Sequence, residues 1–121
     1  MVNKRRIGNA YEERAVSFLT ANGFQVLDRN FYSKYGEIDI IALDSEGFLC
    51  FIEVKYRKNH ASGDPLEAVT YQKQRKISSA ARYYLMTHPR FQRYQIRFDV
   101  IGILGDKISH MKNAFEYIGA S

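Results

Sequence analysis

The stretch from Gly36 to Arg57, GEIDIIALDSEGFLCFIEVKYR, constrains the fold of this chain more than any other. Residues 38–43 and 48–54 are apolar and β-prone, and the turn-forming run between them makes the whole stretch a β-hairpin. Asp39, Glu53 and Lys55 are the only charged groups within or directly ending the two runs. A three-residue loop, Ser45 to Gly47, with Gly47 in the left-handed position, sets Asp44 opposite Phe48. Counting back pairs Leu43 with Leu49, Ile41 with Phe51, Asp39 with Glu53 and Glu37 with Lys55. Directly opposed residues share a face, with Cβ atoms roughly 4.5–5.5 Å apart. Two carboxylates and an ammonium group therefore converge at one sheet end. A slip of one residue would send Asp39 and Glu53 to opposite faces.

Carboxylates held that close repel, and each raises the other's pKa unless a cation lies between them. Mg²⁺, or Mn²⁺ in its place, is the natural cation, because Mg²⁺ is held by one or two carboxylates together with water and substrate phosphate oxygens. Such an ion ionises a bound water and polarises a phosphodiester. Lys55, two residues beyond Glu53 and on the same face, is placed to orient that water or to neutralise charge developing on phosphorus.

Asp39 followed by Glu53-Val54-Lys55 on the neighbouring strand resembles the core of the PD-(D/E)xK nucleases. Over nearly its whole length the chain resembles the YraN-like group of small bacterial proteins and is similar, at greater distance, to archaeal Holliday-junction resolvases. The matching pieces are GNAYEERA (Gly8 to Ala15), Asn22-Gly23-Phe24, Arg29-Asn30, GEIDIIA, FIEVKYR, Gly63, the Lys73-Gln74 region and Arg97-Phe98-Asp99. Two departures stand out: Tyr11 where glycine is expected before the first-helix glutamate, and Ile38 in place of the motif's proline. Tyr11 is expected to crowd the approach of its helix. The resemblance implies a restriction-endonuclease-like α/β fold, a mixed β-sheet of about four or five strands with flanking helices. It also implies a metal-dependent endonuclease acting on DNA, with branched DNA a candidate substrate, and it carries metal binding to Glu12 rather than Glu13. The alternative is a non-catalytic nucleic-acid-binding or assembly protein that retains the nuclease fold.

Residues 1–121 read as a single domain: 45% hydrophobic content and the lack of a linker-like run provide for one core. No apolar stretch approaches membrane-spanning length and no signal-peptide pattern opens the chain, so the cytoplasm is the expected location and a membrane partner is not expected. Cys50 is the only cysteine, which excludes an internal disulfide, and its position opposite the Glu53 face suggests a buried thiol. Eighteen basic against thirteen acidic residues leave a net charge of +5, which suits a polyanion. Arg5, Arg6, Arg57, Lys58, Lys73 and Lys76 belong to its basic groups and are candidate phosphate contacts, with DNA the expected partner. Cutting two strands of a junction would require two sites and hence a homodimer, yet no stretch is recognisable as its interface.

Ile7, Tyr11, Ala15, Phe18 and Leu19 recur at helical spacing, predicting a helix over 7–22 that Asn22-Gly23 ends, with Glu12 at the edge of its apolar stripe. Phe24 to Leu27 forms a strand that completes a three-stranded meander with the hairpin. Tyr32 and Tyr35 flank the intervening turn, and a partly buried wall is favoured over base stacking. Asp64-Pro65-Leu66-Glu67 spells a helix start, with a second start at Thr70. Ile77, Ala80, Ala81, Tyr84 and Leu85 face the core. Lys73, one turn earlier, either reaches phosphate or lays its stem on apolar surface with its amine in water. Gln95 to Leu104 is a strand reached by a right-handed crossover, so it runs parallel to the Glu53 strand. Asp99 within it is expected to pair with an arginine or to support the metal ligands from behind, rather than to bind metal itself, and residues 107–111 suggest an edge strand. His60, His88 and His110 lack zinc spacing, and no glycine-rich phosphate loop follows a strand.

Overall fold

A computed structural model describes residues 4–59, 61, 63–67 and 69–119, without the side chains of residues 4–9 and 67. The elements are α1 (Lys4–Ala21), β1 (Gln25–Ser33), β2 (Gly36–Leu43), β3 (Phe48–Arg57), α2 (Tyr71–Thr87), β4 (Gln95–Leu104) and β5 (Lys107–Phe115). The five strands form one sheet in sequence order. β3 and β4 run parallel and the other neighbours antiparallel, so the sheet is mixed and the fold is α/β. α1 starts earlier than the apolar stripe predicts, and β1 extends well past Leu27 to the Ser33 turn. Arg5 and Arg6 lie on α1, but their side chains are outside the described residues.

Alternation along β3, β4 and residues 40–42 of β2 sends their side chains into two cores. Ile41, Leu49, Phe51 and Phe98 meet Ile77, Ala80, Ala81 and Tyr84 of α2 on one face. Ile40, Ala42, Cys50, Ile52, Ile101 and Ile103 meet Ala15 and Leu19 of α1 on the other. The helices thus cover opposite faces, and each fully buried branched or aromatic side chain contributes about 1.5–3 kcal/mol. Cys50 joins the α1-side core with no exposure, and burial drives its thiol pKa up to about 12.

The hairpin loop is as the sequence requires. Gly47 adopts a positive φ of 92°, Asp44 N–H donates to Phe48 O at 3.0 Å, and Asp44 Oδ1 accepts from the N–H groups of Glu46 and Phe48. The segment after β3 departs from expectation. Asp64 caps only a short 3₁₀ turn, Pro65–Glu67, and α2 begins instead at the second start, where Thr70 Oγ1 accepts from Lys73 N–H. Proline and leucine of that turn seat over Gly102, where a Cβ would stand 3.1 Å from both.

On the α1 side, Asp99 is fully buried and receives Arg97 Nε and Nη2 at 2.9 and 3.0 Å, Asn113 N–H at 3.0 Å and His110 Nε2 at 2.8 Å. Arg97 Nη1 reaches on to Asp44 Oδ2 at 2.9 Å. Asp99 is therefore the arginine-paired structural residue expected of it. Although burial raises it, the histidine, arginine and backbone donors hold its pKa below the ordinary value.

Gly36, at the start of β2, presses against α2: a Cβ built there would lie 2.9 Å from the backbone oxygen of Lys76. Gly36→Ala is expected to cost roughly 1–3 kcal/mol, the usual range for overpacking. Urea denaturation would register this as a lower midpoint with an unchanged slope.

Candidate active site

The β2–β3 ladder runs from Leu43 opposite Leu49 to Ile40 opposite Ile52 and stops there. The register is the expected one, but the pairs Asp39 with Glu53 and Glu37 with Lys55 do not form. Beyond Ile40, β2 stays with β1, where Ile38, Glu37 and Gly36 face Phe31, Tyr32 and Ser33. Beyond Ile52, β3 stays with β4, from Glu53 opposite Val100 to Arg57 opposite Leu104. The sheet forks between them. In a continued ladder Val54 N–H would belong to the narrow hydrogen-bonded pair with Ile38. Here it donates to Asp39 Oδ2 at 2.8 Å instead. A side chain has replaced a backbone acceptor at the crotch of the fork.

Glu53 lies on the α2 side of β3 and is 5% exposed. Lys55 Nζ stands 3.3 Å from Glu53 Oε1, and Lys73 Nζ reaches the same oxygen at 3.7 Å from the first turn of α2. Lys73 thus joins the carboxylates, an arrangement that the solvent-facing alternative did not anticipate. Glu12, on α1, is also buried, at 8% exposure. Its neighbours fix the helix: Glu13 pairs with Arg29 of β1 at 2.7 Å, and Arg14 donates to the Gly105 and Asp106 carbonyls of the β4–β5 turn. Tyr11 does not crowd this approach. Its ring stacks on Tyr56, with centroids 3.6 Å apart and planes 16° from parallel.

The electrostatics centre on Asp39. Burial, the negative charge of Glu53 and, less strongly, that of Glu12 push its pKa to about 7, against the Val54 hydrogen bond and the Lys73 charge, which pull it down. Charges from both helices thus act on one carboxyl group. Among the described residues, no three His, Cys, Asp or Glu side chains gather tightly enough to hold a metal ion alone. The donor set fits a hard divalent ion in the manner common for Mg²⁺, with one or two carboxylates and the remaining positions left to water and phosphate oxygens.

The other sequence candidates are spread outward from this point. Arg57 and Lys58 continue past Lys55 at the end of β3, Arg57 half-buried and Lys58 exposed. Lys76 sits one turn beyond Lys73. Tyr32, 70% exposed, corrects the expectation of a partly buried wall, whereas Tyr35, 46% exposed, packs against Tyr83 of α2 with ring centroids 5.7 Å apart. The Val54 hydrogen bond was not legible in the sequence, since a backbone donor carries no residue signal.

A mixed α/β sheet that splits beside an acidic pair and its lysines defines the class of protein. The particular family follows from the comparisons. The model of uncharacterised protein family UPF0102 matches residues 11–103, and the chain belongs to that family, the YraN-like group. It is similar to a UPF0102 protein of Lachnoclostridium phytofermentans, 43% identical over 98% of this chain and 100% of the relative. A UPF0102 protein of Fusobacterium nucleatum is 44% identical over 93% and 92% of the two chains. A UPF0102 protein of Francisella tularensis is 46% identical over 93% and 96%.

The raised Asp39 pKa fixes the sign of a pH effect. Between the unfolded value, about 3.9, and the folded value, about 7, the folded protein holds a proton that the unfolded chain has released. This contribution to stability is present at low pH and lost as pH rises through that window. Asp39→Asn keeps an oxygen for Val54 N–H and removes the titration. The variant should gain stability over the wild type at pH 8, on the order of 1–3 kcal/mol, with a smaller difference at pH 5. Urea denaturation of both proteins at the two pH values measures this.

Proposed function

We propose that this protein is a metal-dependent endonuclease that hydrolyses phosphodiester bonds in DNA, branched DNA included. The observation that supports this most is the fork, which gathers Asp39, Glu53 and Lys55 while α1 and α2 bring Glu12 and Lys73 toward it. Asp39 and Glu53, with Glu12 assisting, would hold Mg²⁺ or Mn²⁺, which supplies an ionised water and charge neutralisation at phosphate. Lys55 and Lys73 pair with Glu53 and place two ammonium groups where phosphate oxygens would arrive. Lys55, fixed on a central strand, orients the attacking water or meets negative charge developing on phosphorus. Arg57 and Lys58, next along the chain, extend the positive surface along a phosphate backbone, as does Lys76 on α2. Two such sites in a homodimer would serve both strands of a junction.

A second reading rests on the same ion pairs. Lys55 and Lys73 already offset the Glu53 charge, so the cluster persists without a metal, as a non-catalytic nucleic-acid-binding protein would require. Metal calorimetry alongside cleavage of branched, duplex and single-stranded DNA separates the two. Asp39→Asn and Glu53→Gln should weaken divalent-ion binding and preserve metal-free binding to DNA. Lys55→Ala should preserve ion binding and lower cleavage by about 10²–10³-fold, the scale of losing one charge-stabilising group. Wild-type protein that binds no divalent ion even with DNA present would favour the second reading.

A further inference from the structure

The outer side of α2 carries a groove that the proposed chemistry does not use. Two adjoining cavities, of about 350 and 250 Å³, share Tyr35 and Ser79. The larger is also lined by Arg82, Tyr83 and Tyr117, the smaller by Arg75 and Lys76. Its size is at the small end of ligand pockets, which run roughly 300–1,000 Å³. The C-terminal wall is anchored, because the Ile118 N–H donates at 3.0 Å to the Oγ of Ser78, a fully buried residue.

We infer that this groove binds unpaired bases of a nucleic-acid strand, with their phosphates on the α2 cations. The inference rests on the nuclease reading and narrows its substrate to DNA with single-stranded or unpaired segments. Three observations carry it. Tyr35, Tyr83 and Tyr117 remain 46%, 37% and 43% exposed, and Tyr35 and Tyr83 are inclined at 51° with centroids 5.7 Å apart, so neither ring covers the other face to face. Among the described residues, Arg82 lines the larger cavity, Arg75 and Lys76 the smaller, and no carboxylate lines either, and Lys34 Nζ adds positive charge 5.2 Å from the Tyr35 centroid. Exposed aromatic faces interleaved with cations are what single strands require: bases stack and phosphates are neutralised. The groove also starts beside the candidate site. Lys76 is one turn from Lys73, and the step from Lys73 to Tyr83 spans about 15 Å along the helix.

Binding is measured without metal, using a short single strand carrying 2-aminopurine and a blunt duplex of equal length. Stacking should quench the 2-aminopurine on wild-type protein. Tyr35→Ala and Tyr83→Ala should each weaken single-strand binding by about 5–100-fold and leave duplex binding within about twofold, while Tyr35→Phe and Tyr83→Phe bind as wild type. Arg82→Gln, which leaves the tyrosines in place, should reduce the salt slope by about 0.7 on the single strand. Equal losses on both probes, no loss on the single strand, or no binding to either overturns the inference. So does concentration-dependent dimerisation that Tyr83→Ala abolishes, since a second copy would then cover the groove. The nuclease reading fails separately. Tyrosine-dependent binding without Mg²⁺- or Mn²⁺-dependent cleavage removes the nuclease and keeps the base site. Lys55-dependent cleavage unaffected by the tyrosines does the reverse.

Discussion

The hydrogen bond from Val54 N–H to Asp39 Oδ2, at 2.8 Å, stands where the β2–β3 ladder stops, and the geometry of the candidate site depends on it. A sheet that parts leaves backbone donors without their strand partners, and an unmatched buried N–H costs about 1–3 kcal/mol. The Asp39 carboxylate removes that cost at Val54. It does so by placing an acidic group inside the fork, between cores packed on opposite helices. The same contact that makes the divergence tolerable makes the site acidic.

The positive charges balance this acidity unequally. Glu53 has Lys55 and Lys73 within 4 Å, whereas Asp39 has a backbone donor and only distant help from Lys73. Glu53 is thus ion-paired, while Asp39 sits near the midpoint of titration at neutral pH, a state that a hard cation would shift toward ionisation. Near the hairpin turn, Asp99 and Asp44 share Arg97, and both carboxyl groups are held below their ordinary pKa. Two acidic clusters in one small domain therefore differ in kind. The Arg97 cluster fastens β4, β5 and the hairpin loop, and at the Asp39 cluster one carboxyl group has a backbone donor in place of a paired cation.

Much of this was legible in the chain. The Gly47 loop sets the register, the parallel β3–β4 pairing follows from the crossover, and Glu12, at the edge of the apolar stripe, is buried while Glu13 pairs with Arg29. What was not legible arises from competition between elements. Counting register assumes that a ladder, once begun, continues. It carries no signal that β1 and the Gly36 contact with α2 draw β2 aside after Ile40. The start of α2 was ambiguous because Asp64 and Thr70 both cap, and only packing over Gly102 reduces the first to a single 3₁₀ turn. Tyr32 was misjudged because exposure at a turn depends on which neighbours the tertiary fold supplies, which residue type does not encode. His110 joined Asp99 from a different strand, a pairing that depends on the β4–β5 register.

The central claim is that the fork holds Asp39 as a carboxyl group awaiting a cation. Carbon-13 NMR titration of the Asp39 side-chain carboxyl, with and without saturating Mg²⁺, tests it most directly. The account requires an apparent pKa near 7 without the ion and a marked fall when Mg²⁺ is added. An ordinary value near 4 that Mg²⁺ leaves unmoved would contradict it.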